Sequence, residues 1–266
     1  MTSDFKKLGI IAGGGTIPKM LIEHCQKLNR PFFVLAIEGN ADKALIDGIG
    51  QAGTGFKKLH DEKVEEVIMI GTIKRPSFFD LLPDMRTTAF FAKIGAKALG
   101  DDGILRALVR EIEAEGMTVR GVHEVMSGLL VRKGCLTKNR PDKQAEADIR
   151  RGVEVALALG QLDVGQAAVV QQGLVLAVEG IEGTDELLRR SGGYKRKGAG
   201  GVLVKLRKPQ QDMRIDLPTV GLQTVKRAKE SVHAGNGLIV DEAEVVRLAD
   251  KEGLFVIGVD PSDYAE

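Results

Sequence analysis

The chain has 266 residues, 43% hydrophobic and 28% charged, with 38 basic against 37 acidic side chains and a net charge of +1. That length allows two domains, each able to bury a core, and the balanced charge, with no basic stripe interleaved with aromatics, argues against a nucleic-acid partner. No apolar run approaches the roughly 20 residues of a membrane span, the N-terminus lacks the apolar stretch of a signal peptide, and Cys25 and Cys135 lack metal or CxxC spacing, so a cytoplasmic protein with reduced thiols is expected.

Leu8 to Ala12 is an apolar run followed by Gly13, Gly14 and Gly15 and then a helical pattern through Met20, Leu21, His24 and Leu28. The order is strand, glycine turn, helix, with Thr16 placed to cap the helix and Pro18 in its first turn. Glycines there let the backbone approach a phosphate at the positive helix end, or simply make a tight turn. Pro18 stands where a dinucleotide fingerprint needs its third glycine, which disfavours an NAD enzyme. PFFVLAI (31–37) and Val67 to Ile70 read as further buried strands, with a charged helix at Phe56 to Glu62 between them. A β-α-β-α-β order implies a parallel sheet. Its ligands sit beyond the carboxyl ends of the strands, where Gly13 to Gly15 and Gly71-Thr72-Ile73-Lys74-Arg75-Pro76 fall; Lys74 and Arg75 are a phosphate clamp or a solvated pair.

Phe78, Phe79, Leu81, Leu82, Phe90 and Phe91 cluster in one region that reads by default as a core helix pair, the alternative being an apolar groove for acyl chains or a membrane-facing patch. Asp101-Asp102-Gly103 starts a helix expected at Ile104 to Glu115, its acidic residues capping the N-terminus and Gly116 ending it. Thr118 to Val122 reads as a strand with His123 at its end, where a lone histidine is more often structural than a general base. The polar LTKNRPD (136–142) marks the domain crossing, dividing the chain into 1–135 and 136–266.

In the second half Lys143 to Leu159 is a helix, and Ala167 to Glu179 two strands about Gly173 in a hairpin. Thr184 is placed to cap the next helix, and Glu179, at a strand end, is placed to join other carboxylates around a cation. Ser191 to Gly201, with Lys195, Arg196, Lys197 and five glycines, reads as a mobile loop, either a lid or phosphate contact or a solvated connection. Val202 to Leu206 is a strand stopped by Pro209. Lys208, Asp212, Arg214 and Asp216 follow in a loop, and a helix is expected from Pro218 through Val220, Val225 and Ala228. Gly237 to Val240, a helix at Glu242 to Lys251 and a strand at Leu254 to Val259 make the second half α/β as well. Aspartates beside cations in a proline-bounded loop are either solvated surface groups or a site for a hard cation such as Mg2+, which needs only one or two carboxylates against a phosphate.

The motifs GGGTIP, GTIKRP, DDGIL, GVHEV, AVEGIEGTDE and KPQQDMRIDLPTVG occur in that order, and with them the chain resembles, over essentially its whole length, the UDP-2,3-diacylglucosamine diphosphatases of the LpxI type. The resemblance implies a Rossmann-like N-terminal domain and a C-terminal α/β catalytic domain with the lipid held between them. It implies Mg2+-dependent hydrolysis of UDP-2,3-diacylglucosamine by water attack on the α-phosphorus, giving UMP and 2,3-diacylglucosamine 1-phosphate (lipid X) in lipid A biosynthesis. Asp216 is then the first metal-binding and catalytic candidate, with Asp212 and Glu179 second. Gly13, Gly14, Gly15, Thr72, Lys74, Arg75, Gln172, Thr184, Lys208 and Arg214 form the expected substrate-binding set. The family also implies a cytoplasmic enzyme in transient contact with the inner membrane of a Gram-negative bacterium, monomeric or homodimeric. A non-catalytic nucleotide or lipid-nucleotide binding module is the competing reading.

Overall fold

A computed structural model describes residues 5–37, 41, 48–49, 52–72, 101–215, 217–228 and 231–264, with backbone alone at 48–49, 52–56, 101–102, 104 and 231–236. The chain forms two compact units: Met1–Gly128 with Asp212–Asp216, and Leu129–Gln211 with Leu217–Glu266.

The first unit contains β1 (Leu8–Ala12), α1 (Ile17–Lys27), β2 (Phe32–Ile37), β3 (Gly48–Ile49), α2 (Ala52–Asp61), β4 (Glu66–Ile70), α3 (Asp101–Ala114), β5 (Thr118–Val119) and α4 (Val122–Val125). Its sheet runs β3-β2-β1-β4-β5, every pairing parallel, the doubly wound arrangement expected from the order of apolar runs. Leu8, Ile10 and Ala12 are fully buried, which is why β1 reads as an unbroken apolar run. One core joins Leu35, Val67 and Met69 of the sheet to Val109 and Ile112 of α3. The strand order reverses between β1 and β4, so the crevice beyond their carboxyl ends is the ligand position of such sheets.

Local corrections follow from the backbone. Thr16 has helical dihedrals and makes no side-chain cap; a capping hydroxyl needs an extended N-cap backbone. Asp101 to Gly103 belong to α3. Gly116 ends that helix with φ +85°. β5 is only two residues long, so His123 lies in the short helix α4, where the Glu124 carboxylate accepts the Gly121 N–H at 2.8 Å. At the amino end of β4 the buried Glu66 is clasped by Arg30 at 2.5 Å and Arg120 at 3.0 Å.

The second unit contains β6 (Gly134–Cys135), α5 (Lys143–Gln161), β7 (Ala167–Gln171), β8 (Leu174–Val178), α6 (Thr184–Ser191), β9 (Gly201–Leu206), β10 (Thr219–Val220), α7 (Leu222–Arg227), β11 (Ser231–Asn236), β12 (Leu238–Ile239), α8 (Glu242–Lys251) and β13 (Val256–Gly258). Its mixed sheet runs β6-β13-β11-β9-β7-β8, and β10 pairs with β12. Alternation along β9 sends Val202, Val204 and Leu206 to α5 and Leu203 to α6. Gly152 lets α5 lie close, since a Cβ there would overlap Val204. The helix expected from Pro218 begins only at Leu222, because Thr219 and Val220 extend to pair with β12.

Candidate active site

Pro209 ends β9, and the chain then turns against the carboxyl end of α5. The Lys208 ammonium pairs with Asp163 at 2.7 Å, the Gln210 amide donates to the Gly160 carbonyl at 2.7 Å, and Arg207 donates to the Gln211 carbonyl at 2.9 Å. Pro209 sits 3.1 Å from where a Cβ on Gly160 would stand. These bonds tie Lys208 to Gln211 to the second unit.

The next five residues belong to the first. Arg214 forks onto Asp212 through Nε (3.0 and 3.2 Å) and Nη2 (2.7 Å), and its backbone N–H donates to the same carboxylate at 2.9 Å. Its remaining Nη1 donates to Glu113 of α3 at 2.7 Å. Ile215 packs on the core that contains Val109 and Ile112 of that helix. The Arg214 side-chain hydrogen bonds hold the Asp212 carboxyl below its ordinary range, and those same bonds raise the Arg214 guanidinium. Asp212 is therefore an ionised anchor; with both oxygens filled by one residue it does not fit a Mg2+ ligand here. Asp216, Lys74, Arg75 and the Phe78 to Phe91 cluster lie outside the described residues.

Gly13 and Gly14 meet Gly71 and Thr72 across the switch point. Gly13 N–H donates to the Ile70 carbonyl at 2.8 Å; Gly14 N–H donates to the Thr72 carbonyl at 2.8 Å and Thr72 N–H returns to Gly14 at 2.9 Å. A Cβ on Gly13 would stand 2.6 Å from the Thr72 oxygen. The glycines expected to face a phosphate thus let two backbones touch, and their amides are spent on that contact. Gly15 alone, with φ +94° and nothing within 4 Å of a Cβ, faces open space.

In the second unit Glu179 is 5% exposed. Its carboxylate accepts the Thr184 hydroxyl at 2.6 Å and the Gln166 N–H at 3.1 Å. Thr184 is the first residue of α6, behind an N-cap at Gly183, so its hydroxyl serves Glu179 and not the helix end. Gln172, expected to touch substrate, donates to the Lys197 carbonyl at 2.9 Å and accepts from Arg196 Nε at 3.0 Å. Among the described residues no group of three or more His, Cys, Asp or Glu side chains comes together to hold a metal ion. His123 Nδ1 is buried without a hydrogen-bond partner, and the ring lies over Gly121, where a Cβ would overlap it.

Glu113, Asp148 and Gln171 escaped the sequence reading. Asp148, 2% exposed on α5, accepts the N–H groups of Gln172 at 2.9 Å and Gly173 at 2.6 Å. A polar residue on the apolar stripe of α5 was the one available signal, shared by Asp148 alone of the three.

Residues 7–129 match the family model described as LpxI N-terminal domain, and residues 132–257 the one described as LpxI C-terminal domain. A Caulobacter vibrioides protein, "UDP-2,3-diacylglucosamine pyrophosphatase LpxI", is 42% identical over 277 aligned residues, spanning 97% of this chain and 99% of that protein.

Proposed function

We propose, because the chain belongs to the LpxI family, that it is a hydrolase of the diphosphate bond of UDP-2,3-diacylglucosamine, working in lipid A biosynthesis. The similarity that runs from end to end through both family domains carries this reading. In our reading water attacks the α-phosphorus, and the products are UMP and 2,3-diacylglucosamine 1-phosphate (lipid X).

Asp216 is the residue to which we assign the reaction centre. It follows Arg214 and Ile215, which the guanidinium fork and the α3 core hold in place. Pinning a reacting carboxylate by its neighbours supports catalysis, since a misplacement of about 1 Å costs on the order of 100-fold in rate. Asp212 and Glu113 then act as positioning residues through Arg214. Glu179 acts likewise on Thr184, and Lys74 and Arg75 neutralise phosphate oxygens.

We assign Mg2+ to Asp216, because the Asp212 carboxylate is filled by Arg214 and Glu179 is buried with each of its oxygens bonded, to Thr184 and Gln166. When bound, the ion would supply positive charge against the diphosphate. No described helix is long and apolar enough to cross a membrane; a diacylated substrate nonetheless resides in one, so we place the enzyme in the cytoplasm with transient contact at the inner-membrane surface.

The test is hydrolysis of UDP-2,3-diacylglucosamine in 18O-labelled water. Equimolar UMP and lipid X with the label in UMP is the expected result; label in lipid X would move the attack to the other phosphorus, and absence of both products would remove the reading. Asp216→Ala should abolish turnover at an unchanged melting temperature, and EDTA should abolish it reversibly.

A further inference from the structure

We propose that Met213 is an apolar contact for the acyl chains of the substrate, held at the corner of the turn that leads into Asp216. The inference rests on the hydrolase reading above and adds to it a residue that sets chain-length preference.

The turn from Asp212 to Ile215 is closed twice. The Ile215 N–H donates to the Asp212 carbonyl at 3.2 Å, and the Arg214 N–H donates to the Asp212 carboxylate at 2.9 Å, the bond by which an aspartate side chain fixes a turn. Three of its four side chains are committed. Arg214 places Nε and Nη2 on the Asp212 carboxylate and Nη1 on Glu113, and Ile215 packs on the core that contains Val109 and Ile112. Met213, at the first central position, is left 41% exposed. A doubly closed turn thus holds out an apolar side chain that the core does not use. Met213 stands three residues before Asp216, and three residues of chain span at most about 10–11 Å, a distance that a fatty acyl chain covers.

The chemistry of the side chain selects the part of the substrate it meets. A thioether carries no charge and no N–H or O–H, so it matches neither the diphosphate nor the sugar hydroxyls. Its neighbour Arg214 has its charge met by two carboxylates, Asp212 and Glu113. Hydrocarbon and the uracil ring remain. Unbranched, polarisable methionine adapts to chains of differing course, whereas recognition of a base calls for hydrogen bonds to its edge, which a thioether does not supply.

The experiment compares UDP-2,3-diacylglucosamine carrying long acyl chains with the same compound carrying two acetyl groups, both in detergent micelles, on full-length wild type, Met213→Ser and Met213→Leu. Met213→Ser should raise KM for the long-chain substrate about 3- to 8-fold at nearly constant kcat, the share of a methionine side chain still open to burial, and should change KM for the diacetyl substrate far less. Met213→Leu, close in volume and apolar, should keep the long-chain preference. An equal rise in KM for both substrates would move the contact to the uridine or the sugar, a fall in kcat on both would make Met213 a support of the turn, and wild-type constants throughout would leave no contact; each overturns the proposal. Substrate-free vesicles of phosphatidylglycerol and phosphatidylcholine should sediment wild type and Met213→Ser alike, and weaker sedimentation of the variant would overturn it too, by giving the side chain to the bilayer. Titration calorimetry of both substrates in EDTA repeats the comparison without turnover. A wild type that releases no UMP would therefore remove the hydrolase reading, while the ratio of Kd values still judges Met213.

Discussion

Gly13→Ala probes the contact between the two turns at the switch point. The new methyl would stand 2.6 Å from the Thr72 oxygen and 3.0 Å from the carbonyl carbons of Gly71 and Thr72. All three atoms are backbone, so no rotamer change relieves the overlap. Overpacking of this kind costs about 1–3 kcal/mol, and parting the turns loses the reciprocal Gly14 and Thr72 bonds at about 1 kcal/mol each. A total of about 3–5 kcal/mol is a large part of the roughly 5–15 kcal/mol of a typical domain, and with a urea slope of about 2–3 kcal/mol per molar it lowers the midpoint by about 1–2.5 M. Gly15→Ala meets no atom and bears only its φ of +94°, a left-handed strain of about 1–2 kcal/mol. Urea unfolding of the full chain, followed by far-UV circular dichroism, should therefore rank wild type, Gly15→Ala and Gly13→Ala in falling order. A Gly13→Ala protein that unfolds at the wild-type midpoint while KM for the substrate rises would refute the reasoning and return the turn to a phosphate.

Arg214→Lys keeps the charge but cannot fork onto Asp212 and reach Glu113 together; kcat should fall about 10- to 100-fold at nearly constant KM, and an unchanged kcat would remove the positioning role. Asp148→Ala leaves the Gln172 and Gly173 amides without their acceptor and should cost about 3 kcal/mol; hydrogen exchange should quicken at those two amides, and a fully protected turn would count against the account. The Asp212 carboxyl is held below its ordinary 3.8, so the fold favours its ionised form. That stabilisation is complete above about pH 4 and disappears as pH falls through the depressed folded value. The stability difference between wild type and Arg214→Ala should accordingly be flat near neutral pH and shrink in strong acid; a difference that grows on acidification would contradict the pairing.

The alternation of apolar runs and helical stripes made the first sheet legible, because strands such as Leu8–Ala12 are buried on both faces and carry little but aliphatic residues. β11 went unseen: Ser231–Asn236 holds a serine, a histidine, a glycine and an asparagine, and its place between β9 and β13 comes from tertiary pairing and not from propensity. The threonine caps failed for a related reason, since a hydroxyl at a helix start serves whichever partner is nearer, and for Thr184 that is Glu179. Motif reading located the Asp212 to Asp216 segment, but its partner Glu113 lies 101 residues from Arg214, beyond any local pattern. The loop at 191–201 looked loose because its composition says nothing of the glutamines that hold it.

Asp212–Asp216 complete the first unit from far along the chain. During synthesis, the ribosome must add more than 80 residues beyond Gly128 before Ile215 emerges, a wait of roughly 4–17 s at about 5–20 residues per second. Until then the nascent N-terminal half carries an open apolar seat beside Val109 and Ile112, vulnerable to chaperones and proteases alike. A gene truncated at the apparent boundary would keep that seat open permanently, so separately expressed halves should prove far less soluble than the intact polypeptide.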